Sequence, residues 1–279
     1  MTKNIYTDFS LCMSVYRNDN PQDFITAYES VTIHQTCKPS EAILVIDGPI
    51  PDTLNSTIYK LTQNSCIPLT VIRLNENKGH AIARQTAIDA AKYDFIAIMD
   101  SDDIARPDRF EKEMTFMQSH PETDVIGGQI EEFEGDERHI VSKRTVPLKD
   151  KEIKQYLKSR CPMNFMTVMV KKSAIQKAGG MIDWFCEEDY YLWIRMTQHN
   201  CIFANLPDTL VSVRVGNAMY SRRGGWKYFA SERRIQRYLL QNNIISLPRY
   251  CYNVTGRFIV QVMMPNKMRG FIFKTIFRK

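Results

Sequence analysis

Three carboxylates stand together in Asp100-Ser101-Asp102-Asp103, directly after the apolar run Phe95 to Met99. Packing has no use for acids at the end of such a run. Oxygen donors of this kind suit a hard divalent cation, because Mg²⁺ or Mn²⁺ takes one or two carboxylates from a protein and fills its other positions with diphosphate oxygens and water. The competing reading is a solvated turn in which Asp103 caps a helix starting near Arg106-Pro107. A second acidic group, Glu187-Glu188-Asp189, heads an amphipathic stretch running to about His199. A carboxylate within hydrogen-bond reach of a hydroxyl can take its proton while a neighbouring acid orients it. The same acids in a first helical turn would also complement the helix dipole, so structure alone gives them a use.

Weaker signals surround these two. Asp47-Gly48 offers a carboxylate able to accept the imide N–H of a uracil ring, on which Tyr16 could stack; the alternatives are an ordinary turn and a core-edge aromatic. Lys78, in Asn77-Lys78-Gly79, and Arg84 after it bring cations toward a diphosphate, although a lysine in such a loop is equally plain surface. Arg222-Arg223-Gly224 lies in the loop MYSRRGGWKY, where paired guanidinium groups could close over a pyrophosphate or simply extend a basic surface. The five histidines show no HxxH or HxxxH spacing, which argues against a histidine metal site. Seven cysteines without a CxxC pair argue against both a disulfide framework and a zinc site.

These residues need elements to hold them. The first hundred residues alternate short apolar runs with helical stretches, the pattern of βαβ units and a mostly parallel sheet. Strands are expected at Phe9 to Val15, Ala42 to Ile46, Leu69 to Leu74 and Phe95 to Met99, with helices over Pro21 to Gln35 and His80 to Ala91. In open parallel sheets the ligand sits beyond the carboxyl ends of the strands. Here those ends carry Tyr16 to Asp19, Asp47-Gly48, Asn75 to Gly79, and Asp100 to Asp103, so four polar clusters should converge on one rim. A further strand is expected at Asp124 to Ile130. The pattern then loosens to about Lys151, and a helix from Lys171 to Ala178 ends at Gly179-Gly180, where a left-handed cap fits.

At 279 residues the chain can bury a full core, and no stretch of eighteen or so apolar residues or apolar leader is present, which predicts a cytoplasmic location. From Arg233 to Lys279 there are ten Lys or Arg and no acid, leaving 27 basic against 31 acidic side chains elsewhere. The basic character therefore belongs to the tail. Its end, KMRGFIFKTIFRK, interleaves apolar residues with five cations, as an interfacial helix does; each cation near an anionic leaflet contributes about 1 kcal/mol. This favours a membrane surface over nucleic acid as partner, the alternative being a helix docked on the domain.

Taken as an ordered set, SVYRND, VIDG, ENKGHAIARQ, DSDD, EEDYYLWIRM and RRG resemble the family 2 glycosyltransferases of the GT-A fold, and among them the bacterial O-antigen and exopolysaccharide β-glycosyltransferases. The resemblance covers about residues 8 to 245. It implies an α/β, Rossmann-like nucleotide-binding sheet flanked by helices, with a nucleotide-sugar half (1–130), an acceptor half (131–245) and a basic amphipathic helical tail (246–279). It further implies Asp102 as metal ligand with Asp100 beside it near the ribose or metal, Asp189 as base with Glu188 in support, Asp47 on uracil, and Lys78 and Arg84 in the nucleotide site. The implied reaction is an inverting, Mn²⁺- or Mg²⁺-dependent transfer of a hexose from a UDP-sugar to a lipid-diphosphate-linked saccharide at the inner membrane face. The chain departs from the family pattern at Phe165, where His is frequent, which puts an acceptor contact there in doubt.

Three rivals come from other classes. A sugar-phosphate nucleotidyltransferase shares the sheet and the metal carboxylates but needs a Gly-rich basic loop after the first strand, which SVYRND does not provide. A phosphatase with an aspartyl nucleophile would carry its DxD at the first strand. A non-catalytic domain that binds polyanions through its tail stays open.

Overall fold

The computed structural model describes residues 6–216 and 224–264. One sheet of nine strands runs through it. Its first half is parallel: β1 (Phe9–Val15), β2 (Glu41–Ile46), β3 (Leu69–Arg73) and β4 (Phe95–Ile98) lie in the order β3-β2-β1-β4. Burial on both faces explains the near-continuous apolar runs of β1 and β2. Side chains alternate across them: Phe9, Leu11 and Met13 enter one core layer while Cys12 enters the other.

Helices cover both faces. α1 (Pro21–Ser30), α2 (Asp52–Asn64) and α4 (Arg109–Ser119) bury Phe24, Leu54, Phe110 and Met114 in one layer. α3 (His80–Ala90) presents Ala81, Ala83 and Ala87 to the opposite layer, where small side chains let it lie close on β1 and β2. α1 begins where Asn20 accepts from the N–H groups of Gln22 and Asp23 at 2.8 and 3.2 Å, with Pro21 in its first turn. α1 ends at Ser30, short of the expected Gln35, because Ser30 and Thr32 turn their hydroxyls back onto Ala27 and Tyr28 carbonyls.

Beyond β4 the sheet is mixed. β8 (Met169–Lys171) runs antiparallel between β4 and β6 (Val125–Phe133), and β9 (Phe203–Arg214) runs parallel beside β6. β5 (Ile104–Ala105) and β7 (Ile140–Arg144) are antiparallel edges on β9 and β6. α5 (Asp150–Leu157), α6 (Lys172–Lys177) and α7 (Glu188–Gln198) pack on the α3 side through Ile153, Ile175 and the buried Trp193. α8 (Trp226–Gln241) adds Ile235 and Leu239 to that layer, and α9 (Leu247–Phe258), ending in a wide turn at Ile259–Met263, docks on α8. The start of the expected tail is thus a helix against the domain. Its basic end, Lys267 to Lys279, lies outside the described residues, and among those described no helix is long and apolar enough to cross a membrane.

Candidate active site

Strand order reverses between β1 and β4, and the loops after these two strands open at the switch point. Tyr16 to Asp19 follows β1 and Asp100 to Asp103 follows β4. The Ser101 hydroxyl donates to Asp19 Oδ2 at 3.0 Å, joining the two loops, and the Tyr16 N–H donates to the same oxygen at 3.0 Å. Tyr16 is half-buried, its ring 6.2 Å from that of His80.

Asp47 has a role that sequence reading missed. Its Oδ1 accepts from the Lys78 N–H at 2.7 Å, and its Oδ2 from the Gly79 N–H at 2.9 Å and the Asn77 amide at 3.0 Å. With three of roughly four acceptor positions taken, Asp47 first of all ties down the loop that starts α3. Gly48 permits this. Its φ is +84°, and a Cβ there would sit 2.5 Å from the Asn77 nitrogen. Lys78 keeps its ammonium exposed over the rim.

The two acidic motifs meet through Arg84. From α3 its guanidinium donates to Asp100 Oδ1 at 2.8 Å and to Glu188 Oε1 at 3.0 Å, and it lies 4.3 Å over the ring of Phe165. Phe165 therefore serves as the floor beneath that arginine. Burial alone would lower the Arg84 pKa, but the charges of Asp100 and Glu188 outweigh it and raise it. Glu188 is raised by burial and then by the adjacent Asp189, with Arg84 opposing. Glu188 stands in the first turn of α7, where it complements the helix dipole, and it also binds Arg84.

The DSDD loop has more negative charge than its partners cancel. Asp103 is buried and accepts from the Arg214 N–H of β9 at 2.9 Å, so it anchors a strand instead of capping a helix. Arg214, which the sequence did not single out, also donates to the Asp102 carbonyl at 3.2 Å and pairs with Asp23 at 3.0 Å. Asp102 stays open to solvent at this crowded rim, where desolvation, then the charges of Asp100 and Asp19, push its carboxyl up to about 6. A site that resists its own ionisation in this way fits a cation. Among the described residues no three His, Cys, Asp or Glu side chains are grouped to hold an ion unaided, so Asp100 and Asp102 fit an ion that shares its shell with phosphate oxygens.

Asp189 looks the other way. It lines a cleft of about 600 Å³ walled by residues 144, 159–161, 186, 187, 189 and 190 and the C-terminal helices, from Tyr228 to Gln261. Its Oδ1 accepts from the Tyr190 N–H at 2.6 Å, and among the described residues its Oδ2 meets only the Cys161 thiol, at 3.5 Å. A thiol is a weak donor, which leaves Oδ2 available to a hydroxyl. Cys186, held at φ +60°, turns the chain sharply into this acidic corner. Glu187 is buried in the same wall, and burial, then the charges of Glu232 and Asp189, raise its pKa well above the carboxylate range. Arg222 and Arg223 lie outside the described residues.

Residues 10–178 match glycosyl transferase family 2, and residues 95–277 match the related family group 2. The chain belongs to glycosyltransferase family 2. Among its relatives is an uncharacterized glycosyltransferase of Haemophilus influenzae, 37% identical over 97% of this chain and 99% of its own length. The amylovoran biosynthesis glycosyltransferase AmsE of Erwinia amylovora is 32% identical over 95% of this chain and 98% of its own. A UDP-Gal:α-D-GlcNAc-diphosphoundecaprenol β-1,3-galactosyltransferase of Escherichia coli is 32% identical over 97% of each chain. The fold matches that of S. aureus TarS 1-349 in complex with UDP-GlcNAc, with a TM-score of 0.65 over 96% of this chain and 75% of that one at 17% identity. A mannosyltransferase of Pyrobaculum calidifontis in complex with GDP-Man and Mn²⁺ superposes with a TM-score of 0.63, over 95% of this chain and 72% of that one, at 12% identity. This family 2 glycosyltransferase thus has the GT-A architecture, and the arrangement of its rim and cleft is what its activity has to use.

Proposed function

We propose that this glycosyltransferase moves a hexose from a UDP-sugar to a hydroxyl of a lipid-diphosphate-linked saccharide, with inversion, at the inner face of a bacterial membrane. The observation that carries the reading is Arg84, whose single guanidinium binds both Asp100 and Glu188. It ties Asp100 to the first turn of α7, whose next residue, Asp189, lines the cleft, and this supports a donor on one side and an acceptor on the other. A donor and an acceptor reaching the reacting centre from opposite sides are what in-line displacement requires. The E. coli relative, similar along its whole length, acts by its name on an acceptor of this class.

In this reading Tyr16, Asp47 and Lys78 border the nucleoside end of the donor, and Arg84 holds Asp100 and Glu188 in register. Asp100 and Asp102 would hold Mn²⁺ or Mg²⁺, which when bound offsets the charge of the departing diphosphate. Asp189 takes the acceptor proton at Oδ2. The attacking oxygen then reaches the anomeric carbon on the face opposite the leaving UDP, so an α-linked donor gives a β-linked product. Glu188, fixed by Arg84, keeps the first turn of α7 from rotating as Asp189 changes charge. The tail from Lys267 would hold the enzyme at the lipid surface where such acceptors lie.

Mn²⁺-dependent release of UDP from UDP-glucose or UDP-galactose is the expected activity. If neither UDP-sugar binds in calorimetry with Mn²⁺ present, the reading is wrong. Removing Lys267 to Lys279 is expected to release the protein from vesicles containing anionic lipid without reducing transfer to a short, water-soluble acceptor. Unchanged vesicle partition would remove the tail's role.

A further inference from the structure

The cleft behind α7 holds more positive charge than the reaction just described uses. Four arginines, Arg144, Arg160, Arg249 and Arg257, face three carboxylates, Glu187, Asp189 and Glu232. Arg257 is matched by an ion pair with Glu232. Arg144 and Arg249 have no carboxylate partner among the described residues. Arg144 is instead aimed by neutral oxygens, donating to the Cys161 carbonyl and the Asn164 amide oxygen, each at 2.8 Å, and Arg249 donates to the Ser159 hydroxyl at 2.6 Å. Arg160 lines the same cleft, and burial above all lowers its pKa, with Tyr156 opposing. Two guanidinium groups aimed into one cleft by neutral oxygens, with no carboxylate partner among the described residues, form a site short of an anion. None of the rim residues Tyr16, Asp47, Lys78, Arg84, Asp100 or Asp102 lines this cleft. The anion it lacks is therefore not the donor diphosphate at the rim.

We propose that Arg144, Arg160 and Arg249 bind the diphosphate of the acceptor, so that its sugar projects along the cleft toward Asp189. This rests on the acceptor class proposed above and assigns the residues that recognise it. Guanidinium forks match phosphate oxygens in paired hydrogen bonds, and the acceptor diester carries two negative charges for them to meet. Tyr228 and Tyr252, from α8 and α9, give the sugar aromatic walls. The lipid has an exit as well. Val260 lines the cleft, and its neighbours Ile259 and Met263 on the same turn are exposed at 45% and 66%. An alkyl chain leaving the diphosphate there passes onto an apolar surface.

The test uses the full chain and three probes: decyl GlcNAc diphosphate, its GalNAc counterpart, and decyl GlcNAc without the diphosphate. Binding is read by calorimetry in metal-free buffer, with and without saturating UDP. At least one diphosphate probe is expected to bind the wild-type protein in the presence of UDP, and the diphosphate-free probe at least roughly tenfold more weakly. Arg249→Gln, at an exposed helix position that bonds only a serine hydroxyl, is expected to lose roughly tenfold in affinity for the diphosphate probes and to leave UDP-sugar affinity measured with Mn²⁺ unchanged. Arg144→Lys, which keeps the charge and loses the fork, is expected to weaken the same probes. Equal binding of the probes with and without diphosphate, or full displacement by UDP, overturns the assignment. So does an Arg249→Gln variant that binds both classes like the wild type. Failure of UDP-sugar binding with Mn²⁺ present would instead count against the donor reading, whatever the diphosphate probes do.

Discussion

The rim above the parallel strands and the cleft behind α7 both collect charge, and they leave opposite kinds unbalanced. At the rim, Asp19, Asp100, Asp102 and Asp103 outnumber Arg84 and Arg214, and Asp102 is pushed up to about 6 by desolvation and then by Asp100 and Asp19. In the cleft, Arg144 and Arg249 have no carboxylate partner among the described residues. The first turn of α7 separates the two, with Glu188 bound toward the rim and Asp189 facing the cleft. On the function proposed above, the donor diphosphate would meet a bound cation at the rim and the acceptor diphosphate would meet arginines in the cleft, so each has its own counter-charge.

The strongest way to break this comparison is at the dividing wall. Asp189→Asn should lower transfer by about 1,000-fold, the range lost with a general base, while UDP-sugar affinity stays within twofold. Unchanged turnover would remove Asp189 from the proton transfer and with it the reason for calling the cleft the acceptor side. Next is the rim. Asp102→Asn should lower turnover by about 100-fold and abolish the Mn²⁺ dependence of UDP-sugar binding in calorimetry. If that dependence survives, the ion is held elsewhere. Arg84→Gln should cost about tenfold in kcat, since it frees Asp100 and Glu188 together, and Arg84→Lys should recover little because one ammonium cannot form both bonds in that geometry. Full rescue by lysine would mean that charge alone matters there.

How much of this was legible in the sequence differs between the same two regions. β1 begins and ends where expected, and β2, β3 and β4 lie within a residue of expectation, because each is an apolar run closed by a polar strand end and governed by the parallel-sheet rule. Asp100 and Arg84 meet for the same reason: the rule says where strand ends converge, and α3 starts at one of them; Glu188, on α7, was not placed there by it. Beyond Ile130 local pattern fails. β9 carries Pro207 and Asp208 in its middle, residues that argue against a strand, and it tolerates them because its register with β6 shifts between Gly127 and Ile130. α2 and α4 lack side-chain caps, so their boundaries have no local signature. The cleft arginines sit on a strand end, a loop and one helix distant in sequence, each an unremarkable surface residue until α9 packs on the loop after α5. Asp47 was visible as an acid, but its bonds to Lys78 and Gly79 depend on the close approach that Gly48 permits.

The smallest expected effect concerns what lies beneath the rim. Arg109 is fully buried under the DSDD loop, donating to the Ile98 carbonyl at 2.9 Å and facing Glu113 at 3.3 Å. Burial pushes Glu113 up to about 7, with Arg109 only partly opposing it, whereas an unfolded chain would hold this group near 4.5. The folded state therefore binds the proton more tightly than the unfolded one. The resulting stability is fully present below about 4.5 and is lost as pH rises through about 7. Wild-type protein should lose roughly a few degrees of Tm between pH 5 and 7.5 relative to Glu113→Gln, which has no proton to lose. Equal slopes would mean that Arg109 keeps Glu113 ionised throughout. The distinction bears on the rim, because the charge of Arg109 also reaches Asp100 and Asp103. A protonated Glu113 leaves that buried cation to offset the acids above it, and an ionised one leaves the offset to Arg214 and to the cation proposed to bind there.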